Sequence, residues 1–251
     1  MWDHQTSIRQ STSGAKLRMK VPMLIDWIDW WGRGGLIEIN RPAWYRFLFG
    51  RMETYYEAHF RTLANATTVI CHGLKERAVG LDVPRETILH LRNGADHERF
   101  RPRPMKELRA RFGLAPDAFI AVFASLDTFL DLEMMLRGMK QLVADGASAR
   151  LLLIGKSDAR VRARVAATGL SAHTDFSGFV ADDIYPLYLN ACNVLLMPFP
   201  KTNYNIGRWP NKFGEYLASG RPVIFNAVGD LQDFDMADEN AVGIVCEYSA
   251  E

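Results

Sequence analysis

The sequence predicts an α/β protein built on parallel sheets, and three observations carry that expectation. Short apolar runs alternate with amphipathic helical patterns along the chain, the strand-like runs falling at 22–28, 67–71, 88–91, 119–124, 151–154, 174–176, 194–197, 223–225 and 242–245. The alternation pauses at a Pro-flanked, Arg-rich segment, 100–104, and then restarts, which marks the best boundary between two units. A helix feeding a buried strand, 210–224, has both of its ends written in the sequence. Ligands of parallel sheets collect at the carboxyl ends of the strands.

Taken in order, residues 1–20 mix Ser, Thr, Gln and basic residues without a clear period and read as loop or frayed helix. The first strand-like run leads into a Trp-rich turn, Trp30-Trp31-Gly32-Arg33-Gly34-Gly35. Glycines let a backbone approach phosphates, but no helix is expected directly after this turn, which argues against a dinucleotide loop. Beyond Pro42, Tyr45, Leu48, Met52, Tyr55, Tyr56 and Leu63 share one helical stripe, with Arg46, Glu53, Glu57 and Arg61 on the opposite side. A helix at 74–81 separates the second and third strands of the first unit, and the third ends in Asn93-Gly94. In the second unit a helix is expected to bury Leu132, Met135, Leu136, Met139, Leu142 and Val143, and six strands make a whole Rossmann-like sheet.

Composition excludes several classes. With 251 residues and 48% hydrophobic content the chain can bury one large core or two modest ones. Thirty Lys plus Arg against 29 Asp plus Glu leave a formal charge of +1, so no global field points to nucleic acid. The densest basic run, Arg99, Arg101, Arg103, Lys106, Arg109 and Arg111, reads as a solvated face. Cys71, Cys192 and Cys246 are odd in number and set in or beside apolar runs, as buried thiols in a reducing compartment would be. No apolar run approaches the roughly 20 residues of a spanning helix, and the N-terminus lacks a signal pattern, so a cytoplasmic protein is expected. The Asn65-Ala66-Thr67 sequon is irrelevant in that compartment. The six histidines show no paired ligand spacing, and Asp233-Phe234-Asp235 is better read as the N-cap of a short helix than as a metal motif, so no metal site is expected.

The stretch 208–224 carries the chemistry. Phe213, Tyr216, Leu217 and Gly220 fall at i, i+3, i+4 and i+7 as an inward face, while Lys212, Glu215 and Ser219 line the other side. Pro210 suits the first turn and Gly220 a left-handed exit before Pro222. Free amides at such a helix start attract an anion, and Lys212 with Arg208 would add full charges beside it. Glu215 can accept two hydroxyl hydrogens from a vicinal diol such as a ribose. Phosphate beside ribose means a nucleotide.

Pro210-Asn211-Lys212-Phe213-Gly214-Glu215-Tyr216-Leu217-Ala218-Ser219-Gly220-Arg221-Pro222-Val223-Ile224 resembles the donor-site helix of GT-B fold glycosyltransferases of the retaining group 1, family 4 type. Asn93-Gly94-Ala95-Asp96 with Phe100 and Pro102 resembles the same family's interdomain turn. The resemblance implies two Rossmann-like domains with parallel sheets, an incomplete acceptor-side domain at 1–102 and a donor domain at 103–251 lacking its closing helices. A chain truncated at both ends is thus expected. It also implies transfer of a sugar from a nucleoside diphosphate sugar to a hydroxyl acceptor with retention, needing neither metal nor other cofactor at the donor. Lys156, in Gly155-Lys156-Ser157 after a strand, is then a candidate for phosphate; Phe179 and Val180, in Phe176-Ser177-Gly178-Phe179-Val180, are candidates for the base. The Gly-rich turn after Trp31 becomes an acceptor-facing loop.

Two departures qualify the likeness. Many members carry a sugar-contacting glutamate eight residues before the position of Glu215, where this chain has Gly207. An Arg and a Lys often follow the first donor-domain strand, where this chain has Leu126-Asp127-Thr128-Phe129-Leu130-Asp131. No residue is assigned as general base. A non-catalytic nucleotide-sugar binder and a GT-B sugar-nucleotide epimerase are the alternatives. Trp27, Trp30, Trp31, Trp44, Tyr45, Phe47 and Phe49 among Arg33, Arg41 and Arg46 suggest either a core or a peripheral membrane contact.

Overall fold

A computed structural model describes residues 21–124, 129–235 and 241–246; the expectations for residues 1–20 and for Leu126-Asp127-Thr128 lie outside them. The chain divides into two compact units, one comprising Met1–Asn93, Lys201–Pro210 and Val228–Asp233, the other Gly94–Pro200, Asn211–Ala227 and Phe234–Glu251. The first unit contains β1 (Leu24–Trp27), α1 (Leu36–Asn40), α2 (Ala43–Thr62), β2 (Ala66–Val69), α3 (His72–Val79) and β3 (Ile88–His90). The second begins with α4 (Met105–Phe112), β4 (Phe119–Ala124), α5 (Phe129–Ala144), β5 (Ala149–Ile154), α6 (Ala159–Ala167), β6 (Thr174–Gly178), α7 (Tyr185–Asn190) and β7 (Val194–Met197). The short α8 (Asn203–Ile206) belongs to the first unit again, and α9 (Asn211–Ala218), β8 (Val223–Phe225) and β9 (Gly243–Val245) to the second.

Both sheets are parallel, as the alternation predicts. The first has the order β1-β2-β3, with Ile25 opposite Thr67 and Thr67 opposite Ile88. The second runs β6-β5-β4-β7-β8-β9, with Phe123 opposite Leu153, Ala121 opposite Val194 and Phe225 opposite Val245. The chain winds outward from β4 to β6, then returns to β7 on the other side, so the order reverses between β4 and β7. A sheet wound both ways opens a crevice outside the carboxyl ends of the strands at such a reversal.

The core of the second unit follows from helical spacing. Leu132, Met135, Leu136 and Met139 of α5 join Ala121, Phe123, Leu151, Leu153, Val161 and Val165 in one buried cluster. Each such side chain contributes about 1.5–3 kcal/mol on burial. Leu142, expected on the same face, is 43% exposed in the last turn of the helix.

Three expectations are corrected. On α2 the buried residues are Glu53, Glu57 and Arg61, whereas Leu48, Met52 and Tyr55 are exposed. The reason is local polar chemistry: the Glu57 carboxylate accepts the backbone hydrogens of Trp31 (2.9 Å) and Gly32 (2.6 Å) and pairs with Arg77 (2.8 Å). Arg61 lies over the Trp27 ring at 4.7 Å. The Glu57 carboxylate is thereby buried with its acceptors filled, while on the partner side Arg77 Nε is buried without a hydrogen bond.

The Gly-rich turn is followed directly by α1, contrary to expectation. Its glycines serve packing rather than phosphate. A Cβ on Gly32 would meet Glu57 Oε2 at 2.3 Å, and the Gly32 amide is already taken by that carboxylate. Third, Arg109 of the basic run is 5% exposed, not solvated. Its guanidinium donates to the carbonyls of Ala191 (3.0 Å), Pro116 (2.6 Å) and Ala118 (3.0 Å) and to Asn193 Oδ1 (2.6 Å), a load that the planar five-donor fork of arginine suits. Arg101, Lys106 and Arg111 are exposed.

Candidate functional site

Helix α9 organises the candidate site in the second unit. Phe213 and Tyr216 are fully buried, as their spacing predicts, and Phe213 meets the rings of Phe225 and Phe234 edge-on at 5.1 and 5.0 Å. The Tyr216 hydroxyl accepts the amide hydrogen of Ala124 at 3.2 Å, fastening the helix to the carboxyl end of β4 beside the point where the strand order reverses. Gly220 adopts φ +65 just past the helix, the left-handed exit expected of it, and a Cβ there would meet Pro102 Cγ at 2.7 Å. Ser219, expected on the open side, is buried instead, its hydroxyl donating to the Glu215 carbonyl at 2.9 Å.

Lys212 and Glu215 are half-buried on the remaining face of α9. Burial pushes the Glu215 carboxyl above its ordinary value, against the pull of the Lys212 charge, of Tyr185 and of Arg99. The Tyr185 hydroxyl stands beside that carboxylate without a well-formed hydrogen bond and is otherwise buried. Tyr185 is a neighbour that sequence reading missed: it lies 30 positions from Glu215 on α7, and only the sheet order brings the two together.

The other candidates in this unit sit just past strand ends. Lys156 is exposed two residues beyond β5, and the Gly155 amide donates to the Gly178 carbonyl at 3.1 Å, tying the ends of β5 and β6. Beyond β6, Phe179 is 85% exposed and Val180 half-buried. An aromatic ring so exposed at the carboxyl edge of a parallel sheet is available for stacking. The first turn of α6 is occupied, since the Asp158 side chain accepts from the amides of Arg160 and Val161, both at 3.0 Å. An anion near Lys156 would therefore not be held by that helix.

Arg208 belongs to the first unit. Its guanidinium donates to Asn205 Oδ1 and to the Tyr204 hydroxyl, each at 2.9 Å, and lies 4.2 Å over the Tyr204 ring. The charge is oriented by α8 rather than left to solvent. Gly207, where many relatives have glutamate, packs so closely that a Cβ would meet Trp30 Cβ at 2.6 Å. No side chain fits there without displacement of Trp30.

The first unit holds a polar cluster of its own. Asp230, with a side chain 1% exposed, accepts the His72 amide hydrogen (2.8 Å) through Oδ1 and the Arg92 Nε hydrogen (2.8 Å) through Oδ2. Arg92 also donates to Asp233 and lies 5.1 Å over the Trp209 ring. Asp233 is thus the partner of an arginine near the end of the 3-10 turn Gly229–Phe234, and a helix capped by Asp233-Phe234-Asp235 would lie outside the described residues. His72 and His90 face the same carboxylate, and burial lowers the His90 pKa.

A doubly wound parallel sheet with a cation- and carboxylate-bearing helix at its carboxyl end, in a chain with a second parallel α/β unit, is the construction of the GT-B glycosyltransferases. The chain belongs to the family described as glycosyl transferases group 1, whose model matches residues 119–250. Among solved structures it is similar to Anabaena HepE in complex with UDP, with a TM-score of 0.72 and 14% identity over 93% of this chain and 61% of that one. It is also similar to sucrose-phosphate synthase from Thermosynechococcus elongatus (TM-score 0.66, 20% identity, 91% of this chain, 59% of that one). A third is the apo lipopolysaccharide outer core galactosyltransferase WaaB (TM-score 0.56, 13% identity, 90% of this chain, 55% of that one). At such identities the likeness is one of fold, and the chain spans only 55–61% of the length of these three structures. No curated protein sequence matches the chain.

Proposed function

We propose that this chain binds a nucleoside diphosphate sugar on its second unit and serves transfer of that sugar to a hydroxyl acceptor with retention of configuration. The observation that carries the reading is the shared face of α9, where Lys212 and Glu215 stand together at the carboxyl end of the sheet, fastened there by Tyr216. Glu215 accepts the two ribose hydroxyls, Lys212 neutralises the diphosphate, Lys156 reaches a phosphate, and Phe179 with Val180 receives the base. Departure of the nucleoside diphosphate builds negative charge on the leaving oxygen. The amides opening α9 and the neighbouring cations offset it without reorganising, which is where such enzymes gain most of their acceleration. Complexes of the similar Anabaena HepE with UDP and with UDP-glucose support the donor class.

In this reading the donor needs no metal and no further cofactor, because fixed protein charge does the neutralising. The protein works at the cytoplasmic side; among the described residues no helix is long and apolar enough to cross a membrane. Calorimetric titration with UDP tests the assignment. Glu215→Ala should weaken binding by roughly 1–3 kcal/mol, the cost of a lost charged hydrogen-bond acceptor. Lys212→Ala should weaken it and flatten its salt dependence, while chelator leaves it unchanged. UDP affinity indifferent to both substitutions would overturn the reading.

A further inference from the structure

Beyond its hydrogen bonds, the cluster around Asp230 has the geometry of a ligand set. His72 Nδ1 and His90 Nε2 each lie 3.3 Å from Asp230 Oδ2, and the three atoms all fall within 4.8 Å of one another. Around an ion held at about 2.0–2.1 Å, two ligand atoms of a tetrahedron stand about 3.3–3.4 Å apart. The two edges to Asp230 Oδ2 have that length. His90 Nε2 is buried and makes no hydrogen bond, its nearest polar neighbour being Asp230 Oδ2.

We propose that His72, His90 and Asp230 form a site for a four-coordinate divalent cation of the zinc class. Two imidazole nitrogens and one carboxylate oxygen are the ligand types such an ion prefers, and three protein ligands leave a fourth position open. His72 and Asp230 line a cavity of about 700 Å³ together with Trp30, Arg77, Gln232 and Asp233, so that open position is reached from solvent. The charge balance allows the ion. Arg92 is paired with both Asp230 and Asp233, so one carboxylate charge of the group remains to be matched. Arg92, whose Nε donates to Asp230 Oδ2 at 2.8 Å and whose Nη2 lies 3.4 Å from His72 Nδ1, then withdraws from the imidazole and stays as an outer partner of the carboxylate, a role whose loss weakens metal sites about 10–100-fold.

The three ligands come from separate places: His72 opens α3, His90 ends β3, and Asp230 lies in the turn after β8. All three belong to the first unit. The site is therefore independent of the donor residues of α9. Its occupant would hold the β8 turn against α3 and present a Lewis-acidic position to a hydroxyl or oxyanion in the cavity.

The test is titration of the chelator-stripped full chain with Zn²⁺ by calorimetry, and with Co²⁺ by visible absorption. One ion per chain and the intense bands of four-coordinate Co²⁺ are expected. His72→Ala should lower affinity more than about tenfold; its side chain is 56% exposed, so the fold tolerates the change. His90→Gln should abolish the Co²⁺ bands, whereas His97→Ala, at an 85% exposed side chain, should change nothing. Absence of four-coordinate bands from the unsubstituted protein, or affinity unaltered by His72→Ala, overturns the proposal, whichever variants fold.

Discussion

The Tyr216 hydroxyl accepts the amide hydrogen of Ala124 at 3.2 Å, both groups out of solvent, and this single bond ties the helix bearing Lys212 and Glu215 to the end of the central strand. Tyr216→Phe keeps the ring and strands the amide. Urea unfolding should show a loss of about 1–3 kcal/mol, the cost of an unpaired buried donor. UDP affinity should fall as well, although the hydroxyl touches no ligand in this reading. Unchanged stability would mean that water replaces the bond.

The raised pKa of Glu215 sets a pH dependence. Only the ionised carboxylate accepts two hydroxyl hydrogens, so UDP affinity should drop as pH falls through a value above the ordinary glutamate 4.5. For the free protein the sign is opposite. The folded state holds the proton more tightly than the unfolded chain, so the contribution of this group to stability increases as pH falls through the raised value and levels off below 4.5. Glu215→Gln should remove both trends. A UDP titration curve that stays flat down to the ordinary range would show that the carboxylate is not the ribose acceptor.

Glu57 offers the clearest stability test of the first unit. Its side chain is 0% exposed and holds two backbone amides and Arg77. Glu57→Gln places an NH₂ group where an acceptor is required and leaves the Arg77 charge unmatched. The loss should be about 3–5 kcal/mol by chemical denaturation, as for other broken buried pairs. A loss below about 1 kcal/mol, the worth of an exposed pair, would show that the cluster is solvated.

Exposed rings on α2 test the membrane proposal. Trp27 is fully buried in the core, whereas Trp44, Phe47 and Leu48 are 62%, 86% and 61% exposed, with Arg51 exposed close by. Such a face suits the headgroup boundary of an anionic bilayer. The protein should sediment with anionic liposomes, less so at high salt and less so as Trp44→Ala. Protein that stays wholly in the supernatant with properly folded controls would end the membrane reading.

Much of the architecture was legible in the sequence because it rests on periodicity. Alternating apolar runs and helical stripes announced nine strands in two parallel sheets, and the residues bounding 210–224 announced α9 with its Gly220 exit. The candidate residues Lys212 and Glu215 were legible for the same reason, since helical spacing puts them off the face that Phe213 and Tyr216 bury. Where polar groups satisfy one another, periodicity misled. Glu57 and Arg61 looked like a solvated side of α2, and Arg109 like part of a solvated run, because burial there depends on partners 7 to 84 positions away in chain order.

The sequence by itself therefore determined the class, the succession of nine strands, and the placing of Lys212 and Glu215 off the buried face of α9. Only the tertiary structure decided which charged residues are buried, that Tyr185 stands beside Glu215, that Gly207 leaves no space for a side chain, and that His72, His90 and Asp230 converge. The physical reason is that hydrophobic pattern is a local property read within one element, whereas a buried carboxylate or a ligand cluster exists only when distant segments supply its donors.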